Sequence, residues 1–128
     1  LEGGMVEITA TYPAGIIGTT LENLKEAADG EMEEWGELYP EFAKVADEEG
    51  FKDVASAFRL IAVAEKAHEA RYRKLYDNLQ AGKVFESNGT ITWKCRNCGY
   101  IHEAEKAPQT CPACLHPQAF FEIKETNF

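Results

Sequence analysis

Apolar residues recur in alternating steps of three and four along two stretches of this chain. The first stripe runs Leu21, Leu24, Ala28, Glu31, Trp35, Leu38, Phe42 and Val45; the second runs Val54, Phe58, Ile61, Glu65, His68, Tyr72, Leu75 and Leu79. Such steps keep to one face of an α-helix, so each stripe predicts an amphipathic helix packed on other helices. "TTLE" offers a capping box from Thr19 to Glu22 and starts the first helix at Thr19 or Thr20. Pro40 removes a backbone donor, so a bend is expected between Gly36 and Pro40, with the pattern resuming beyond it. "DEEGF" ends this helix, with Gly50 suited to a left-handed cap. The second helix is expected over residues 52–80, with Gly82 just past its end; at that length it is roughly 40 Å long. Two long helices joined by a tight glycine turn form an antiparallel hairpin. A hairpin alone leaves half of each stripe uncovered, so further helices must cover it.

Both stripes are interrupted near their middles by ionisable groups, Glu31 on the first and Glu65 with His68 on the second. Glu34 lies one turn beyond Glu31 on the same face. In an antiparallel pair these interruptions meet at about one level of the bundle. Burying carboxylates without partners costs several kcal/mol each, and a divalent cation compensates that cost. Glu-x-x-His on one helix, facing a Glu on the next, is half of the ligand set of dimetal carboxylate bundles. The pattern therefore predicts a metal site at Glu31, Glu34, Glu65 and His68. Tyr39 and Tyr72 are candidate donors to these carboxylates, or plain amphipathic edge residues. Outer charges such as Glu33, Glu48 and Glu49 read as a solvated face.

The helical period stops near Ala81. Residues 1–18 hold scattered Gly, Pro and Thr and read as a connecting loop. Residues 83–128 hold turn residues, short strand-like pieces and all four cysteines, giving an expected division into 1–82 and 83–128. "WKCRNCGY" and "TCPACLHP" place Cys95, Cys98, Cys111 and Cys114 as two C-x-x-C units, a strong four-thiolate metal signal. Zinc and a single iron both suit tetrahedral sulfur, and the spacing leaves the two open. Gly99 permits the positive φ of a tight knuckle. Trp93, Tyr100, Phe120, Phe121 and Ile123 are the expected miniature core, while His102 and His116 read as surface residues. The net charge of −9 over 128 residues argues against nucleic acid and anionic membrane surfaces as partners. Paired C-x-x-C units and the lack of a basic-then-apolar start point to a reducing compartment, with the cytoplasm expected.

The stretches "LEGG…VEI…YPAGIIG", "GEMEEWGELYPEFAKVADEEGF", "IAVAEKAHEARY", "WKCRNCGYIHE" and "CPACLHP" together resemble the C-terminal two-thirds of a rubrerythrin, in family order. The resemblance implies a mainly α fold, in which a ferritin-like helical hairpin, half of a four-helix bundle, precedes a small β-rich rubredoxin-like Fe(Cys)4 domain. It implies a peroxidase that reduces hydrogen peroxide to water at two non-haem iron ions. Glu31, Glu65 and His68 are then diiron ligands, and Glu34 is the additional carboxylate associated with a redox-dependent ligand shift. Tyr39 matches the family's tyrosine near the iron pair. The four cysteines hold one iron that feeds electrons to that pair, with rubredoxin or an NAD(P)H-dependent reductase as donor. The family's bundle has two more helices, with one Glu and another Glu-x-x-His, so the resemblance implies a helix pair from another chain, either a second copy or a complementary fragment. Leu115 stands where simple rubredoxins have Gly. The rival expectations are a rubredoxin-like electron carrier acting through the cysteines alone, and an iron-storage or structural zinc-ribbon module.

Overall fold

Thr19 caps helix α1 (Thr20–Glu33) in the computed structural model, which describes residues 3–127. The Glu22 N–H donates to the Thr19 hydroxyl at 3.3 Å, and the Thr19 N–H donates to the Glu22 carboxylate at 2.8 Å. The expected capping box is complete, and it satisfies donors that every helix start leaves unpaired.

The bend expected near Pro40 takes a different form. Glu34–Leu38 make one π-helical turn, closed by the Tyr39 N–H on the Glu34 carbonyl, and α2 (Tyr39–Glu48) continues from it. In an uninterrupted α-helix the Pro40 ring would press on the carbonyl four residues back. The wider turn relieves that clash and leaves Pro40 in the first turn of α2, where a missing N–H costs little. A π-turn takes up one extra residue, so the inward face advances by one position beyond it. Leu21, Leu24, Ala28 and Glu31 are half-buried or buried before the turn; Tyr39, Ala43 and Ala46 are so after it. Leu38, Phe42 and Val45, which continue the stripe in the sequence, are exposed.

Gly50, at φ 87°, ends α2. The Phe51 N–H returns to the Ala46 carbonyl at 2.7 Å, and the Gly50 N–H to that of Asp47 at 3.2 Å. This double closure needs the left-handed residue that glycine supplies. Helix α3 then spans Lys52–Gln80, the range expected from sequence. Gly82, at φ 68°, closes it with the same pair of bonds, Lys83 to Asn78 and Gly82 to Leu79.

The contacts between the helices run in opposite directions along the chain. Asp29 pairs with Arg73 at 2.9 Å, and the Trp35 indole N–H donates to Glu69 at 2.7 Å. The Phe42 and Phe58 rings lie 5.5 Å apart, and Asp47 pairs with Arg59 beside the turn. Numbers rise on one helix as they fall on the other, which is the antiparallel hairpin. Its buried positions are Ala28, Ala43, Ala46 and Ala55, all small side chains.

The chain divides into two compact units, Leu1–Arg73 and Lys74–Phe128. The second contains an antiparallel sheet of order β2-β1-β3, with β1 at Glu86–Cys95, β2 at Ile101–Lys106 and β3 at Phe121–Ile123. Its core is Trp93, Cys95, Ala107, Cys111 and Phe121, bordered by Phe85, Ile91, Tyr100, Cys114 and Phe120. The Trp93 indole N–H donates to the Ala104 carbonyl at 3.1 Å, so the buried ring keeps a polar partner. Ile123, an expected core member, is 65% exposed although it pairs with Trp93 across the sheet. This unit carries six basic and six acidic residues, so the net charge of −9 resides on the helical unit. Among the described residues no helix is long and apolar enough to cross a membrane.

Two changes test this reading of the hairpin. Gly50→Ala places a side chain at positive φ in open space, and Thr19→Ala removes the cap; each is expected to lower unfolding free energy by about 1 kcal/mol in urea titrations. Arg59, then Lys52, holds the Asp47 carboxyl below its ordinary value. A carboxyl lowered by folding stabilises the fold above its unfolded value, about 3.9, and loses that contribution as pH falls through its folded value. Arg59→Gln should therefore lose less stability than the wild type when pH drops from about 5 to about 3, followed by circular dichroism.

Candidate metal centres

The hairpin brings three of the residues singled out in the sequence into one cluster. Ligand atoms of Glu31, Glu65 and His68 all lie within 4.8 Å of one another. His68 Nδ1 stands 2.6 Å from Glu65 Oε2 and 3.5 Å from Glu31 Oε2. The two carboxylates are mostly buried, with side chains 17% and 15% exposed, whereas the His68 side chain is 54% exposed. Glu31 Oε2 is shut off from solvent and has no hydrogen-bond partner. Burial, and next the neighbouring Glu65, push the Glu31 carboxyl above its ordinary value. A buried orphan oxygen facing a second carboxylate and an imidazole is a donor set that fits a divalent cation. Glu-x-x-His positions its two donors on one face because residues three apart on a helix are neighbours.

Glu34 is half-buried at the start of the π-turn and stands outside this trio. Its charge still reaches the cluster, raising both Glu31 and the Tyr39 hydroxyl. The Tyr39 hydroxyl is raised first by burial, then by Glu34, Glu65 and Glu31, and its ring packs near Phe42 and Phe58. Tyr72 is half-buried on α3 and hydrogen-bonds to none of them.

One supporting pair has no counterpart in the sequence reading. Trp35 follows Glu34 and Glu69 follows His68, and the Trp35–Glu69 bond ties the two ligand-bearing turns together. Glu69 also accepts from Arg73 at 3.0 Å, and Lys66 lies 4.8 Å from the centre of the Trp35 ring. The signal in the sequence was the indole itself, since a tryptophan on an inward stripe needs an acceptor for its N–H.

The second cluster is built from two turns of like construction. Cys95 Sγ lies 3.7 Å from Cys114 Sγ, and Cys98 Sγ lies 3.7 Å from Cys111 Sγ. A disulfide would require about 2.05 Å. Four sulfurs around a metal at about 2.3 Å stand about 3.8 Å apart in a tetrahedron, so the cage fits one thiolate-bound ion. Cys95 and Cys111 are fully buried, Cys114 half-buried and Cys98 exposed. The His116 N–H, with help from neighbouring sulfurs and against burial, lowers the Cys114 thiol to about 6. The Tyr100 N–H lowers Cys98, but burial and the other three sulfurs outweigh it and raise the thiol to about 12. Four thiolates this close need a cation to be anionic together. His116 turns its Nδ1 to the Cys114 carbonyl at 3.1 Å and packs edge-on against Phe120, which leaves it out of the cage. Leu115 adopts φ 62°, a left-handed conformation that costs a leucine roughly 1–2 kcal/mol.

A ferritin-like carboxylate hairpin followed by a rubredoxin-like four-cysteine knuckle defines the class of this chain. Family models match in the same order, "Rubrerythrin" over residues 4–76 and "Rubrerythrin, rubredoxin-like domain" over residues 93–122. The chain belongs to the rubrerythrin family. It is 59% identical to the rubrerythrin of Porphyromonas gingivalis (strain ATCC BAA-308 / W83), covering 100% of this chain and 64% of that protein. It is 58% identical to that of Clostridium perfringens (strain 13 / Type A), covering 98% and 65%. For Nitratidesulfovibrio vulgaris (strain ATCC 29579 / DSM 644 / CCUG 34227 / NCIMB 8303 / VKM B-1760 / Hildenborough) the identity is 49%, covering 100% and 67%. The chain thus spans about two thirds of the length of these relatives. Among solved structures, fully reduced, all-ferrous nigerythrin aligns with a TM-score of 0.49 at 30% identity, covering 90% of this chain and 54% of that one.

The cage carries a direct test. Anaerobic loading with ferrous iron and reoxidation should give one thiolate-bound iron and a red chromophore per chain. Cys111→Ser should remove both, read by metal analysis and the visible spectrum.

Proposed function

We propose that this chain provides half of a dimetal site, and the whole electron relay, of a peroxidase that reduces hydrogen peroxide to water. The observation that carries the reading is the buried, unpartnered Oε2 of Glu31, facing Glu65 and His68. Glu31, Glu65 and His68 are assigned as ligands of the iron pair, and Glu34 as a carboxylate that joins them. When bound, the two iron ions supply the electrons that split the O–O bond, and a thiolate-held iron restores them. Around that chemistry the chain's own groups have separate tasks. Glu31 and Glu65 hold carboxylate oxygens in a mostly buried position, and His68 adds a nitrogen donor on the open side. Tyr39 is assigned as the hydroxyl that orients a carboxylate. The Cys95, Cys98, Cys111 and Cys114 sulfurs hold their ion from four sides, so it can change charge with little movement.

The donor set is half of that in dimetal carboxylate bundles. The exposure of His68, Phe42, Val45 and Val54 leaves room for more helices on this face. We assign the missing donors to a further helix pair that packs on this face. Rubredoxin or an NAD(P)H-dependent reductase is assigned as the electron source. The exposed His68 also favours a second reading, in which the cysteines work as a one-electron carrier while the carboxylates stay empty.

Iron content separates these readings. A peroxidase needs about three irons per completed set of sites, a carrier one, and a zinc module none. Glu65→Ala should abolish peroxide turnover, measured by consumption under anaerobic reductant, and leave the thiolate chromophore at full intensity. Loss of both together would contradict two separate sites.

A further inference from the structure

The two turns of the thiolate cage repeat each other bond for bond. In the first, the Gly99 N–H donates to the Cys95 carbonyl at 2.8 Å, and the Cys95 N–H to the Tyr100 carbonyl at 2.9 Å. In the second, the Leu115 N–H donates to the Cys111 carbonyl at 2.9 Å, and the Cys111 N–H to the His116 carbonyl at 2.8 Å. Each turn requires positive φ at the residue after its second cysteine, 79° at Gly99 and 62° at Leu115. Glycine adopts that conformation freely and leucine does not. Leu115 is the one non-glycine residue with positive φ among the described residues, and no packing compensates it, since it is 77% exposed.

Backbone strain of this kind collects at positions that serve function. The position here is specific. The cage reaches solvent through Cys98 and Cys114, and Leu115 directly follows Cys114. Residues 97–100 and 112–117 contain no Lys, Arg, Asp or Glu, and the one charged side chain within the two cysteine turns, Arg96, donates to the Ala119 carbonyl at 2.9 Å. Beside Leu115 the rim therefore offers apolar contact, with its single charge tied to the backbone.

We propose that Leu115 is a specificity-determining contact for a protein electron donor, one that meets the Cys98–Cys114 edge with an uncharged, apolar face. The proposal rests on the relay reading of the thiolate site. One electron leaves the reduced donor and converts the ferric ion of the cage to ferrous, with no bond made or broken and no proton exchanged. A single exposed leucine among uncharged residues suits the small, transient encounters of electron-transfer partners. Such an encounter selects by contact, not by long-range steering.

The test follows bleaching of the visible band of the iron-loaded chain by stopped flow, with reduced rubredoxin as the protein donor and dithionite as the small-molecule control. Leu115→Gly relaxes the backbone, so it is expected to fold, to melt a few degrees higher and to keep the visible spectrum. Its second-order rate with rubredoxin should fall about fivefold or more, as for loss of a central contact, while the dithionite rate stays unchanged. Leu115→Asp should be slowed as well. The wild-type rate should vary less than about twofold between about 50 and about 300 mM salt. Equal rubredoxin rates for wild type and Leu115→Gly overturn the contact role, as does a parallel fall with dithionite. A steep salt dependence of the wild type overturns the uncharged face, and a wild type reduced by dithionite but not by rubredoxin overturns the proposal whole. If the wild type forms no iron chromophore, or neither reductant bleaches it, the relay reading itself fails and this contact with it.

Discussion

Carboxylates on the inner face of a helical hairpin repel one another and lose hydration, and much of the first unit is arranged around that cost. Glu31 and Glu65 sit where leucines would have packed at no electrostatic expense. Burial, and next the neighbouring Glu65, push the Glu31 carboxyl above its ordinary value, and the imidazole of His68 offsets only part of that. The clamp of Trp35 on Glu69, continued through Arg73 to Asp29, holds the two turns in register across the gap. The fold tolerates an unfavourable centre because buried alanines pack on either side of it and the glycine cap fixes the antiparallel order of the helices.

The second unit meets a similar difficulty with other means. Four thiols crowd into a cage whose sulfur spacing matches a single tetrahedral ion, and two identical loops of backbone hydrogen bonds hold them there. The hydrophobic part is small, a tryptophan, a phenylalanine and one alanine around two of the cysteines. A core of that size is typical of domains that depend on a metal for stability. The two units thus share a logic in which donors are gathered first, at a cost the cation offsets.

Much of this was legible in the sequence, for reasons that can be named. The bounds of α3 are legible because a glycine stands beside each end, in a positive-φ conformation that other residues avoid. The capping box of α1 depends on two residues three apart, a local signal. The grouping of Glu31 with Glu65 and His68 followed from helical steps and an antiparallel turn. The π-turn was not legible. Two apolar series overlap in α2, one through Leu38, Phe42 and Val45 and the other through Tyr39, Ala43 and Ala46, and no local rule says which faces inward. The Trp35–Glu69 bond escaped notice because its two ends lie on different helices.

The single wide turn at Glu34–Leu38 has a consequence for how this helix can change. Were these same residues to wind as uniform α-helix, with none removed, the inward face would lose its one-residue advance. Every side chain from Tyr39 to Glu48 would then swing round the axis by about 100°, trading the alanine surface for the one that bears Phe42 and Val45. Tyr39 would leave the carboxylates in the same movement. A change of winding in one turn, with no substitution and no change of length, is enough to redraw which surface of α2 greets its neighbours.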